Sequence, residues 1–223
     1  DTAVPKVASY ARSGDYHVAV KEMLYETAAR LGLKEDGTGF RAFTDTAPLL
    51  EKRLACEAGL GFIGRNTLLV SPRYGSFLLL GELVVDVPVD TYDRPYEGIG
   101  CGACRRCVEH CPAGALTGEG LDARRCISRL TVEPHPERVP ALAPRIGAST
   151  AGWIFGCDDC QNVCPYNLRA PFFANPRFRP LFSPADMPAC RWLEMTQAEF
   201  DARFGATPMA RSGLARIKEL LRR

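Results

Sequence analysis

No stretch of this chain is long and apolar enough to cross a bilayer. The longest apolar run, Phe77 to Val89, is interrupted by Glu82 and Asp86 and falls short of the ~20 residues that a spanning helix needs. No charged-then-apolar leader is read at its start, so the expectation is a cytoplasmic protein with no membrane partner. Neither sign of charge dominates. Against 28 Lys and Arg stand 26 Asp and Glu, a net charge of +2, which gives no global signature for binding polyanions. Low-complexity segments are lacking, and nothing repeats beyond a pair of cysteine motifs. The glycines at 59, 61 and 64 do not make a dinucleotide fingerprint, because that fingerprint follows a strand and these follow a helical pattern. What is present is ordinary globular composition, 46% hydrophobic and 24% charged over 223 residues, which suits one or two domains.

The expected fold class is α+β in three parts. Residues 1–95 read as mixed α/β. Val20, Met23, Leu24, Ala28 and Leu31 share one helical face between Gly14 and Leu33, with Asp15 placed to cap it. After a Gly-rich turn, Asp36 to Gly39, a strand is expected over Phe40 to Thr44. Pro48 opens a second helix that runs to Ala58 and stops at Gly59. Thr67 to Val70 and Phe77 to Val85 read as two strands of a hairpin closed by Ser71 to Ser76. Residues 96–173 are cysteine-rich with little periodicity, apart from a short helix over Leu121 to Leu130 and a Pro-rich loop, Pro134 to Pro144. Residues 174–223 start as Pro-punctuated loop and end in helices. The last runs from Ala210 to Arg223 with Leu214, Ile217, Leu220 and Leu221 on one side. This tail holds nine Lys and Arg against five Asp and Glu, leaving the rest of the chain at −2. It reads as a solvated helix face or as a surface that touches phosphates.

Ten cysteines set the chain apart, and eight of them fall between Cys101 and Cys164. Disulfides would suit a secreted protein, but a tight C-x-x-C-x-x-C run turns its thiols toward one point. Cys101, Cys104, Cys107 and Cys111-Pro112 spell C-x2-C-x2-C-x3-C-P, the ferredoxin signature for a [4Fe–4S] cube. Cys157, Cys160 and Cys164-Pro165 repeat its ending without the middle cysteine, which Cys126 can replace. Because the fourth cysteine of such a run ligates the other cluster, one cube takes Cys101, Cys104, Cys107 and Cys164. The other takes Cys111, Cys126, Cys157 and Cys160. Structural zinc also uses paired C-x-x-C, but it explains neither the Cys-Pro endings nor the three-cysteine run. Cys56, inside a helix, and Cys190, shortly after a proline, read as buried or idle thiols.

Three further stretches carry a family resemblance. They are Tyr10-Ala-Arg-Ser-Gly-Asp-Tyr-His17, Phe43-Thr-Asp-Thr-Ala-Pro-Leu-Leu-Glu-Lys52 continuing to Ala58-Gly-Leu-Gly-Phe-Ile-Gly-Arg-Asn-Thr67, and Gly75-Ser-Phe with Gly81-Glu-Leu. With the cysteines and Leu121-Asp-Ala-Arg-Arg-Cys-Ile-Ser128, the chain closely resembles the epoxyqueuosine reductases, whose nearest relatives in chemistry are the reductive dehalogenases. The resemblance implies an α/β cobalamin-binding domain in part (1–95), a ferredoxin-like domain with two [4Fe–4S] clusters (96–173), and a helical C-terminal region that contacts tRNA (174–223). It implies an oxidoreductase of queuosine biosynthesis that reduces the epoxide of epoxyqueuosine, at the wobble position of a tRNA anticodon stem-loop, to the alkene. It further implies base-off cobalamin, a flavodoxin- or ferredoxin-type electron donor and a monomer. Family members carry a segment before the match, so this chain is expected to be truncated at its N-terminus.

Residue by residue, the resemblance makes Asp45 the proton donor and lines the substrate pocket with Asp15, Tyr16 and His17. Gly64, Arg65, Asn66 and Thr67, with Ser76 and Phe77, resemble loops that cradle the corrin. Arg65 stands where Lys is usual and Phe62 where Trp is common. The chemistry suits such residues: removing an epoxide oxygen as water takes two electrons and two protons. Asp45 can give a proton only if it holds one near neutrality, which burial against an apolar macrocycle favours. Plainer readings compete. Asp45 and Asp15 suit helix N-caps, His17 a surface or satisfied core position, and Glu82 a polar pocket or solvent. The whole chain also competes with a reductive dehalogenase, normally exported by a twin-arginine leader, and with a ferredoxin-type carrier that binds no corrin.

Overall fold

In this computed structural model, residues 3–34, 39–133, 149–171 and 175–222 are described; the expected Pro134 to Pro144 loop and most of the Asp36 to Gly39 turn lie outside them. Strand β1 (Lys6–Val7) leads through a 3-10 turn into α1 (Tyr16–Arg30). Asp15 is the N-cap of α1, its Oδ1 accepting the His17 N–H at 2.9 Å. The helix ends where Gly32 takes a positive φ of 71°. Next come β2 (Phe40–Phe43), α2 (Glu51–Glu57), β3 (Phe62–Ile63), β4 (Leu69–Val70) and β5 (Glu82–Val85). The cysteine region holds α3 (Arg106–Glu109), α4 (Ile127–Val132), β6 (Trp153–Phe155), α5 (Asp159–Asn162) and α6 (Pro165–Arg169). Helices α7 (Ala189–Glu194), α8 (Gln197–Phe204) and α9 (Gly213–Leu221) close the chain.

The expected hairpin between Thr67–Val70 and Phe77–Val85 does not form. β4 pairs antiparallel with β3, Phe62 opposite Val70, and β5 pairs antiparallel with β2, Phe43 opposite Glu82. The reason lies in the turn. Ser71 bridges Gly75, and Gly75, at φ 75°, sits where a Cβ would collide with Asn167. Asn167 Oδ1 then accepts the Ser76 N–H at 2.5 Å, and Ser76 Oγ reaches Gln161 at 3.0 Å. These bonds turn the chain away from β4 toward α1, where Gly81 packs on Val20 and Leu24. Three helices are also shorter than their patterns predict, α9 starting at Gly213 rather than Ala210 because Pro208–Arg211 form a 3-10 turn. α2 starts at Glu51 rather than Pro48, because the chain from Thr44 to Leu50 is taken up by a loop in which Asp45 has a φ of 55°. Leu121 bridges Leu116 and Asp122 N–H donates to the Ala115 carbonyl, so only Ile127 onward is free to coil.

The main core draws on all three parts of the chain. β1 pairs in parallel with β6, which brings Val7 and Ala11 against Ile154 and Phe155. Onto them pack Phe182, Met187, Trp192, Phe200, Phe204, Met209, Leu214 and Ile217. Trp192 stacks on Phe204 at 4.9 Å and Phe182 meets the same ring edge-on at 5.2 Å, geometries that aromatic quadrupoles favour. α9 buries Leu214, Ile217 and Leu220 on one side, as its pattern predicts. No helix among the described residues is long and apolar enough to cross a membrane.

Candidate redox and proton-transfer site

All ten cysteines are free thiols; Cys56 and Cys190 are half-buried rather than enclosed. Tight turns aim the other eight. Cys104 N–H donates to the Cys101 carbonyl at 3.0 Å, with Gly102 between them at φ 53°, and α3 carries Cys107. Cys164 is the N-cap of α6 with Pro165 at the first helical position, where its fixed φ starts the helix. Asp158 is almost fully buried and fixes the second loop, its Oδ2 accepting both the N–H and the hydroxyl of Ser9 at 2.7 Å. Gly156 lets this loop approach closely, since a Cβ there would meet the Ala8 side chain at 2.4 Å.

The sulfurs stand in two groups. Cys101, Cys104, Cys107 and Cys164 line one cavity, with Asn66 and Tyr166 in its wall. Around Cys160 gather Cys157, Cys126 and Cys111, with Cys107 of the first group also near, and burial first and these neighbouring thiols second push Cys160 up to about 12. Burial likewise raises Cys157 to about 12. Ionising such packed thiols calls for positive charge among them, which the irons of a cluster supply. Backbone amides already point at two sulfurs, Arg65 N–H at Cys101 Sγ (3.4 Å) and Ala115 N–H at Cys111 Sγ (3.3 Å). Among the described residues no three His, Cys, Asp or Glu converge closely enough to chelate one ion.

Beside the first group lies an open cavity of about 420 Å³. Its walls include Phe62, Thr67, Cys101 and the glycines at 64, 100, 102, 118 and 120. Nothing lies within 4 Å of a Cβ built at Gly102 or Gly120, so a flat ligand can approach the backbone there. Arg65 Nε and Asn66 Nδ2 are buried nearby without hydrogen-bond partners. These features fit a large, amide-rimmed macrocycle. Ser76 is instead spent on Asn167 and Gln161, and Phe77 is 45% exposed outside both cavities.

A separate polar group forms over the start of α1, and it contains all four residues singled out there. Tyr16 Oη donates to Asp45 Oδ2 at 2.6 Å, and His17 Nε2 stands 3.7 Å from the same oxygen. His17 Nδ1 lies 2.7 Å from Asp15 Oδ1, and its ring stacks on Tyr16 at 4.1 Å. Asp15 therefore both caps the helix and orients the imidazole. Burial and the bond to Asp45 push the Tyr16 hydroxyl well above the usual phenol range. Behind it Tyr10, raised chiefly by burial, meets Tyr16 edge-on at 5.8 Å. Asp45 is not a helix cap; its side chain is 56% exposed and its N–H donates to Glu51 Oε1. Asp45 does not line either cavity. It is linked to the larger one through α2, where Lys52 Nζ donates to the Thr67 carbonyl at 2.8 Å.

Two residues at this group carry no local sequence signal. Glu51 lies six residues from the amide it holds, in what reads as an ordinary helix start. Arg211 belongs to the C-terminal region. Its guanidinium grips both oxygens of Glu133 at 2.9 Å, which raises it further, with smaller contributions from Asp45 and Tyr16. The 3-10 turn Pro208–Arg211 that carries it packs on the turn Ser9–Arg12, and Asp15 N–H donates to the Ala206 carbonyl at 2.9 Å.

Known proteins resemble this chain. Residues 100–167 match a 4Fe–4S double cluster binding domain. The chain is 40% identical over 94% of its length to the epoxyqueuosine reductase of Pseudomonas aeruginosa, of which it spans 57%. It is 34% identical over 98% of its length to that of Leadbetterella byssophila, spanning 70% of that protein. The chain thus spans little more than half of some curated relatives. A crystal structure of epoxyqueuosine reductase with an epoxyqueuosine-modified tRNA stem loop superposes with a TM-score of 0.79 at 29% identity, covering 97% of this chain and 56% of that one.

Proposed function

Because this chain belongs to the epoxyqueuosine reductase family, we propose that it carries the electron path and the proton-donating group of an enzyme that reduces the epoxide of epoxyqueuosine in tRNA to the alkene of queuosine. The observation that carries this reading is the convergence of Asp15, Tyr16, His17 and Asp45 into one hydrogen-bonded group on the frame that also holds the eight thiols. Cys101, Cys104, Cys107 and Cys164 would hold one [4Fe–4S] cluster, and Cys111, Cys126, Cys157 and Cys160 the other. Gly64, Arg65, Asn66 and Thr67 would rim a base-off cobalamin, which when bound supplies low-valent cobalt as the source of an electron pair.

The remaining chemistry belongs to the chain's own side chains. Tyr16 and His17 both address Asp45 Oδ2, which leaves Oδ1 for a substrate oxygen. A proton on Oδ1 is compatible with that geometry, since Oδ2 still accepts from Tyr16. Asp45 would pass this proton to the epoxide oxygen as its C–O bond breaks, as general acids do within hydrogen-bond reach. Arg211 and the basic C-terminal helices would meet anticodon phosphates, which makes binding salt-dependent. A splayed wobble base would be read by stacking and edge contacts. The reading includes the division at residues 95 and 173, a monomer in the cytoplasm, and a flavodoxin- or ferredoxin-type donor.

The test is anaerobic reconstitution with iron, sulfide and cobalamin, followed by mass analysis of the wobble nucleoside of treated tRNA. Loss of one oxygen, together with stoichiometric corrin absorbance, is expected. Intact clusters without corrin binding would leave a ferredoxin-type carrier.

A further inference from the structure

Behind the Asp45 loop lies a carboxyl pair that the chemistry above does not use. Glu82 opens β5 directly opposite Phe43, two residues before Asp45. Glu51 opens α2 and accepts the Asp45 N–H on Oε1. Glu82 Oε2 is buried with no hydrogen-bond partner, and the Glu51 carboxyl is its neighbour. Two ionised carboxylates at such an approach repel, whereas one proton between them satisfies both. In that state Glu82 donates its O–H to Glu51, and Glu51 stays a carboxylate that accepts from Asp45. Asp45 needs such support, since a non-glycine residue at a φ of 55° is held there only by its surroundings.

We propose that Glu51 and Glu82 form a positioning device in which one shared proton keeps the Glu51 carboxylate on the Asp45 amide, and so keeps the Asp45 side chain on Tyr16 and His17. This rests on the reading of Asp45 as proton donor. Few other charges face the pair. Arg41 shares the Glu82 face of the sheet, opposite Val84 and two residue pairs further along. α2 adds Lys52, whose ammonium is committed to the Thr67 carbonyl. On the other face α1 presents Val20 and Leu24 to Gly81. Among the described residues no ion pair engages either glutamate. Burial first, and the Glu51 charge second, raise Glu82 to about 7. The clamp therefore stands while Glu82 keeps its proton and is lost as pH rises through about 7.

The reconstituted enzyme, with E82Q and E82A, tests this by two readouts across pH. One is hydrogen exchange over residues 44–50, corrected for intrinsic rate, and the other is turnover. In the unmodified protein, protection of the Asp45 segment should fall about tenfold per pH unit above about 7. The E82Q amide donates to Glu51 without ionising, so its protection should stay flat and the matching alkaline loss of kcat should disappear. E82A should lose protection at every pH and turn over at least about tenfold more slowly at unchanged KM. If E82A does not fold, the isosteric E82Q decides. Identical pH dependence of exchange in E82Q and the unmodified protein overturns the proposal. The exchange pattern as expected without any turnover upholds the clamp and removes Asp45 as donor.

Discussion

Residues 182–217 and residues 101–126 are held together by different forces. The first segment is a dry aromatic core: Phe182, Trp192, Phe200 and Phe204 are buried and touch one another. In the second, only Ala115 and Leu116 are buried, and its one helix, α3, is four residues long. Apolar burial stabilises the first without any partner. The second has turns and sulfurs in place of a core, so its order depends on what the sulfurs bind.

The largest effect should come from stripping iron with a chelator under anaerobic conditions. Residues 101–126 should lose protection from hydrogen exchange while residues 182–217 keep theirs. Simultaneous melting of both would break the contrast. Trp192→Ala should act in reverse, costing about 3–5 kcal/mol in denaturant unfolding with iron per folded molecule unchanged. Asp45→Ala should lower turnover by about 10²–10⁴-fold while iron content and corrin absorbance persist. Tyr16→Phe removes one hydrogen bond to that carboxylate and should cost about tenfold in kcat. Retained turnover in Asp45→Ala would remove it from the proposed post. The smallest effect is at α8, where Thr196 and Glu199 form a reciprocal cap. Thr196→Ala should lower stability by about 1 kcal/mol and leave both clusters in place.

What could be read from local order is uneven in an instructive way. α1, its Asp15 cap and the buried side of α9 follow from periodicity and capping chemistry, which act within a few residues. The hairpin prediction failed because it used only the turn between Thr67 and Val85. Asn167 and Gln161, some ninety residues on, redirect that turn by bonding Ser76. The N-cap reading of Asp45 failed for a nearer reason. The Glu51 side chain takes its N–H, and the helix begins later.

Chain order alone determined the thiol spacing and the two Cys-Pro endings, because tight turns and a proline-started helix are short-range constraints. Tertiary structure alone decided that Arg211 stands near Asp45 and that Glu82 lies against Glu51. Each of these meetings spans tens of residues or more. Burial of distant apolar faces and pairing of β1 with β6 and β2 with β5 bring them about, and no local pattern records which partner a strand or a charge will find.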